Sequence, residues 1–149
     1  MKICLVCSSG GHFFTLRSLQ ELWNRYDRFW VTFPAADTKF FLRTEKAYWA
    51  YYPTNRNIKN FIKNLFLAFK ILQEQKPDVI ISTGAGVAVP FMYMGKILRI
   101  KTIYIESLTR IETFSLSGKL AYPVVDCMLV QWPELASKYK RAIYRGQVI

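Results

Sequence analysis

Short apolar runs alternate with helix-like patterns along the whole chain, and this alternation restricts the fold more than any other feature. Strands are expected at Ile3–Cys7, Phe29–Phe33, Ala47–Tyr52, Val79–Ser82, Thr102–Ile105 and Cys127–Gln131. Several are continuous apolar runs, as parallel strands covered on both faces require. Between them the spacing predicts helices over about Phe13–Tyr26, Ile58–Gln75, Val87–Leu98 and Pro133–Arg141, with a shorter one after Asp37. This βαβα order implies an α/β fold, a Rossmann-like doubly wound parallel sheet with right-handed crossovers. The 149 residues suit a single domain spanning 1–149. The tail Tyr144–Ile149 reads as an extension or as a segment that docks a partner.

Ligands of such sheets bind at the carboxyl ends of the strands, in the loops that lead into helices. The first strand ends in Ser8-Ser9-Gly10-Gly11-His12. Two glycines let the backbone turn sharply, and the helix that follows offers free N–H groups to an anion. A tight turn capped by a serine accounts for the same residues. Neither G-x-G-x-x-G nor G-x-x-x-x-G-K-[ST] is present, which weakens dinucleotide binding and ordinary NTPase chemistry. The fourth strand ends in Ser82-Thr83-Gly84-Ala85-Gly86, again before a helix. In a 3-2-1-4 strand order these two loops face one another across the topological switch point and could hold a diphosphate between them.

Two titratable residues lie on the same rim. His12, the single histidine, is placed either to act as a general base or to hydrogen-bond a ligand phosphate or the backbone. Glu106, followed by Ser107 after the fifth strand, either orients or deprotonates a hydroxyl, or is tied to Arg110 or a nearby backbone N–H.

The net charge of +11 favours a polyanion: nucleic acid, an anionic membrane leaflet or a phosphorylated substrate. No nucleic-acid-binding motif is recognisable, so that partner is not expected. In the long helix, Ile58, Phe61, Ile62, Leu65, Phe66, Phe69 and Leu72 form a stripe expected to pack on the sheet. Arg56, Lys59, Lys63 and Lys70 lie opposite, with Leu67 among them. That basic face suits an anionic bilayer, and equally a solvated lysine surface. Three Cys, an odd number, argue against a disulfide framework. Cys4 and Cys7 sit in one strand and point to opposite faces, as buried thiols. No signal peptide or apolar run long enough to cross a bilayer is read from the sequence, so membrane contact is expected to be peripheral or made through a partner. No cofactor or metal is implied, since no carboxylate cluster is visible.

The motifs S-S-G-G-H, S-T-G-A-G and Y-I-E-S, in this order, resemble the acceptor-side subunit of bipartite UDP-sugar glycosyltransferases. That family includes the PssD-type proteins of bacterial exopolysaccharide synthesis. It also includes the membrane-anchor subunit of the eukaryotic enzyme that adds the second N-acetylglucosamine to dolichol diphosphate. A more distant likeness is to the N-terminal half of MurG. The resemblance covers essentially the whole chain. It implies one half of a GT-B enzyme, holding a lipid-diphosphate-linked sugar acceptor, while a second subunit carries the UDP-sugar-binding half. Transfer would be inverting and would need that partner; the alternative is a non-catalytic anchor that recruits the partner enzyme to the membrane. By motif, Ser9, Gly10, Gly11 and His12 would lie at the acceptor diphosphate and reacting hydroxyl. Thr83, Gly84, Ala85 and Gly86 would form the second loop, and Glu106 with Ser107 would border the cleft. Eukaryotic members carry an N-terminal transmembrane helix, whereas this sequence opens on its first strand, so it looks like a bacterial member. A polyprenyl-diphosphate acceptor and a peripheral position on the cytoplasmic face of the membrane follow as expectations.

Overall fold

The computed structural model describes residues 1–148. Seven strands, β1 (Lys2–Cys7), β2 (Asp27–Thr32), β3 (Ala47–Trp49), β4 (Val79–Gly84), β5 (Lys101–Ile105), β6 (Cys127–Val130) and β7 (Ala142–Tyr144), form one sheet. Its order is β3-β2-β1-β4-β5-β6-β7, and every pairing is parallel. The winding reverses between β1 and β4, which makes their carboxyl ends the switch point. The expected Rossmann-like doubly wound sheet is therefore present.

Alternation along the strands sends side chains to two cores. Cys4, Val6, Phe29, Val31 and Ile80 pack on one face under α4 (Ile58–Gln75) and α5 (Ala88–Ile97). Ile3, Leu5, Cys7, Trp30 and Ile81 pack on the other against Phe13 and Leu16 of α1 (Gly11–Ser18) and Trp23 of α2 (Gln20–Trp23). Cys4 and Cys7 thus lie on opposite faces, and burial pushes both thiols far above their ordinary range.

Several boundaries differ from the sequence reading. The helix expected over Phe13–Tyr26 breaks at Leu19, because the Leu16 carbonyl is taken by the Trp23 indole N–H at 2.8 Å. The third strand stops at Trp49 rather than Tyr52, and the last helix, α7 (Pro133–Lys138), is shorter than expected. The short helix near Asp37 is α3 (Ala36–Phe41). A further helix, α6 (Leu116–Ala121), has no apolar period to announce it, only its N-cap Ser115, whose hydroxyl accepts from the Gly118 N–H. Of the tail, Tyr144 closes β7 and the Val148 N–H donates to Gln131 Oε1, while Ile149 lies outside the described residues.

The largest correction concerns α4. Its expected core stripe is mostly on the surface: Ile58 is 77% exposed and Phe66 73%, and Ile62 and Phe69 are exposed as well. Leu67, read as exposed among lysines, packs against the core instead. The buried face is Asn64, Ala68, Ile71, Leu72 and Gln75. Two buried amides turn the helix this way. Asn64 accepts from the Tyr51 N–H at 2.9 Å and donates to the Tyr51 carbonyl at 3.0 Å. Gln75 accepts from Lys2 and Lys46 and donates to the Tyr48 hydroxyl. An apolar-stripe argument counts such residues as polar and so rotates the helix the wrong way. Exposed Ile58, Ile62, Phe66 and Phe69 span about 80° of the helix surface, and Lys59, Lys63 and Lys70 fill roughly the next 40°.

Asn64→Ala removes a fully buried amide and leaves the part-buried N–H and C=O of Tyr51 without it, and should cost about 2–3 kcal/mol in urea denaturation. Phe66→Ser on the exposed face should stay within about 0.5 kcal/mol. Similar losses for both would contradict this orientation of α4.

Candidate functional site

At the switch point the β1–β4 register slips: Val6 pairs with Ser82 but Cys7 pairs with Gly84, so Thr83 is an extra residue. Such a bulge re-aims the residue it carries. The Thr83 hydroxyl donates to the His12 carbonyl at 2.6 Å, and His12 Nδ1 lies 2.7 Å from the Thr83 carbonyl. A carbonyl only accepts, so Nδ1 carries the proton and Nε2 keeps its lone pair. The two glycine-bearing loops are therefore joined through His12. Gly84 (φ 115°) sits beneath this pair, where a Cβ would come within 3.0 Å of the imidazole and 3.1 Å of the Tyr104 hydroxyl. That hydroxyl is buried without a hydrogen-bond partner among the described residues. Burial first, and Glu106 second, push the phenol well above its ordinary range and keep it a neutral donor.

His12 faces a cleft of about 700 Å³. The loop before α4 (Thr54, Asn55, Arg56, Asn57) and the first turn of α4 (Ile58, Phe61) form one side. Ala85, Gly86 and Val89 form the floor, and Arg110 with the start of α6 (Ser115, Leu116, Ser117, Leu120) forms the other side. Gly86 has to be a glycine, because Thr54 lies 2.9 Å from where its Cβ would stand. Among the described residues no carboxylate lines the cleft. Among the described residues the one ion pair is Arg28–Glu45, so neither Arg56 nor Arg110 is neutralised. The amino end of α4, capped by Asn57, opens on the same space. An anion entering here meets two free guanidiniums and a helix N-terminus.

The expected site residues divide into groups. His12, Ala85 and Gly86 line the cleft, whereas Ser9, Gly10, Gly11, Thr83, Gly84 and Ser107 do not. The N-cap of α1 is Gly10 (φ 76°), without a side-chain cap, which corrects the serine-capped turn. The Gly10 N–H donates to the Asp37 carboxylate at 2.9 Å, so part of the expected phosphate cradle is already occupied by an anion. Arg56, assigned to the basic helix face from sequence, lies in the cleft. Lys59, Lys63 and Lys70 do lie on an exposed face. Arg110 and the α6 wall line the cleft without being expected there from the sequence, since α6 carries no recognisable helix period.

Glu106 does not reach the cleft. It is 1% exposed and accepts from the Ser107 N–H, the Ser115 N–H and the Ser115 hydroxyl. A Cβ at Gly118 would overlap its Oε2. Of the two sequence readings, the backbone-tied carboxylate is the one observed. Its effect is to fix the first turn of α6, and so the far wall of the cleft. Glu106→Ala should therefore destabilise the chain by about 3 kcal/mol, the scale of lost hydrogen bonds to a buried charge. Gly118→Ala should be comparably damaging in the same denaturation experiment, and wild-type midpoints for both would refute this role.

Residues 37–148 match the family model described as "Oligosaccharide biosynthesis protein Alg14 like". The human UDP-N-acetylglucosamine transferase subunit ALG14 is 32% identical over 94 residues, covering 59% of this chain and 44% of that protein. The Schizosaccharomyces pombe subunit of the same name is 47% identical over 77 residues, covering 48% and 37%. The chain thus spans less than half the length of these curated relatives. Among solved structures, Acinetobacter baumannii MurG superposes with a TM-score of 0.80 at 15% identity, over 96% of this chain and 45% of that one. The UDP-GlcNAc 2-epimerase of Methanocaldococcus jannaschii gives 0.71 at 14% identity, over 92% and 41%. At such identities the likeness speaks to the fold alone. The family match covers most of the chain, and with it the second glycine loop and both walls of the cleft: the protein belongs to the Alg14-like family of oligosaccharide biosynthesis proteins.

Proposed function

We propose that this chain is the acceptor-binding subunit of a UDP-sugar-dependent glycosyltransferase working on a lipid-diphosphate-linked sugar. The observation that carries this reading is the carboxylate-free cleft at the β1–β4 switch point, with His12 on its rim. The named relatives are UDP-N-acetylglucosamine transferase subunits, which favours a UDP-N-acetylhexosamine donor. A second subunit would supply the donor-binding half.

The chemistry follows from the His12 tautomer. Nε2 takes the proton of the acceptor hydroxyl as its oxygen attacks the anomeric carbon. The bond from that carbon to the UDP oxygen breaks, UDP leaves with the electron pair, and the configuration inverts. The Thr83 carbonyl holds Nδ1–H and stabilises the imidazolium that forms.

The same reading places the protein peripherally on the cytoplasmic face of the membrane. No described helix is long and apolar enough to cross a bilayer. The contact surface is the exposed side of α4, with Ile58, Ile62, Phe66 and Phe69 entering the interface and Lys59, Lys63 and Lys70 meeting anionic headgroups. It differs from the sequence expectation in that Leu67 and Arg56 take no part.

Co-expressed with its partner, the chain should transfer sugar from a UDP-sugar to a polyprenyl-diphosphate-linked acceptor, and His12→Ala should lower kcat by about 10²–10⁴-fold. A complex that moves no sugar from any of a panel of UDP-sugars would refute the reading. Separately, Ile62→Glu with Phe66→Glu should reduce flotation with phosphatidylglycerol vesicles at least about tenfold, while leaving the melting temperature near wild type. Unchanged flotation would remove α4 from the membrane contact.

A further inference from the structure

We infer that the cleft recognises the lipid end of the acceptor as well as its sugar: Arg56 and Arg110 clamp the diphosphate, and Ile58, Phe61, Leu116 and Leu120 hold the first isoprenyl units. This deepens the acceptor-binding reading and rests on it.

Three observations carry the inference. The first is charge. Two arginines line one cleft, and among the described residues neither has an ion-pair partner and no acidic side chain lines the cleft. Guanidinium forks match phosphate oxygens bidentately, and two of them suit two adjacent phosphates. The glycine loop expected to do this has its Gly10 N–H occupied by Asp37.

The second is backbone strain. Arg56 adopts φ 50°, a conformation that glycine or asparagine takes at lower cost. Strain of this kind is retained where the side chain is needed in place. Here it holds Arg56 among the residues that line the cleft, one position before the α4 N-cap Asn57.

The third is the apolar walls. Ile58 and Leu116 are 77% and 63% exposed, and Leu120 is exposed too, and they flank the cleft that holds the two arginines from α4 and α6. A site for diphosphate alone has no use for apolar walls on both sides. The volume of about 700 Å³ falls among pockets that bury ligands well beyond a phosphate group in size. Ile58 also begins the exposed apolar face of α4 that continues through Ile62, Phe66 and Phe69. An isoprenyl chain leaving the clamp past Ile58 therefore runs directly onto the surface assigned to the bilayer.

The test uses the full chain and calorimetry with farnesyl diphosphate below its micelle concentration, inorganic diphosphate, farnesol and UDP, without vesicles. Farnesyl diphosphate should bind at least about tenfold tighter than inorganic diphosphate or farnesol, as expected when charge and apolar burial both contribute. Arg56→Gln and Arg110→Gln should each weaken both diphosphates about tenfold, while Leu116→Ser should weaken farnesyl diphosphate alone. All three positions are exposed, and Arg→Lys variants should recover part of the affinity. Equal affinity for farnesyl and inorganic diphosphate, tighter binding of UDP, or indifference to both arginines would overturn the inference. If the assembled complex still transferred sugar with an unchanged acceptor KM in Arg56→Gln, the inference would fail and the acceptor reading would stand. Farnesyl diphosphate binding as expected, in a complex that transfers no sugar, would instead leave the clamp and refute the transferase.

Discussion

The two reciprocal hydrogen bonds between His12 and Thr83 organise the functional end of the molecule. They join the loop after β1 to the loop after β4, the two strands at which the sheet reverses its winding. The bulge at Thr83 makes them possible, because it turns both the hydroxyl and the carbonyl of one residue toward the start of α1. The consequences are structural and chemical together. The imidazole is held by its Nδ1–H, so the free lone pair is on Nε2. The tight fit over Gly84 then excludes any side chain there.

Around this fixed floor the cleft is built from two walls with separate anchors. Glu106, buried and fully engaged with Ser107 and Ser115, sets the α6 wall. Asn64, bonded to both backbone groups of Tyr51, sets the rotation of α4 and with it the segment that carries Arg56. Neither residue needs to touch a ligand to matter for its binding. The same rotation of α4 exposes four large apolar side chains beside three lysines, so site and surface share one cause.

Six of the seven strands are legible in the sequence, several as continuous apolar runs of the kind parallel burial favours, whereas the three-residue β7 (Ala142–Tyr144) is not. The switch point was legible because glycine-rich turns followed the first and fourth of those runs. The orientation of α4 was not, since its buried face is led by Asn64, Ala68 and Gln75, which a hydrophobic period cannot detect. Helix α6 escaped notice because six residues with a central glycine carry no period, although Ser115 was a usable N-cap signal. Arg110 could not be placed without α6, and Arg56 was drawn to the lysine face by proximity in sequence. The sequence allows Glu106 two roles that only burial and hydrogen bonding separate.

The central claim is that the acceptor lies in the cleft between the start of α4 and α6. It is tested most directly by photo-crosslinking the assembled complex with a sugar-linked polyprenyl diphosphate that carries a diazirine on its first isoprene unit. The account predicts labelled peptides covering residues 54–61 and 110–120, with labelling suppressed by unmodified lipid-diphosphate acceptor. Labelling confined to β3, to the tail after β7 or to the partner subunit would contradict it.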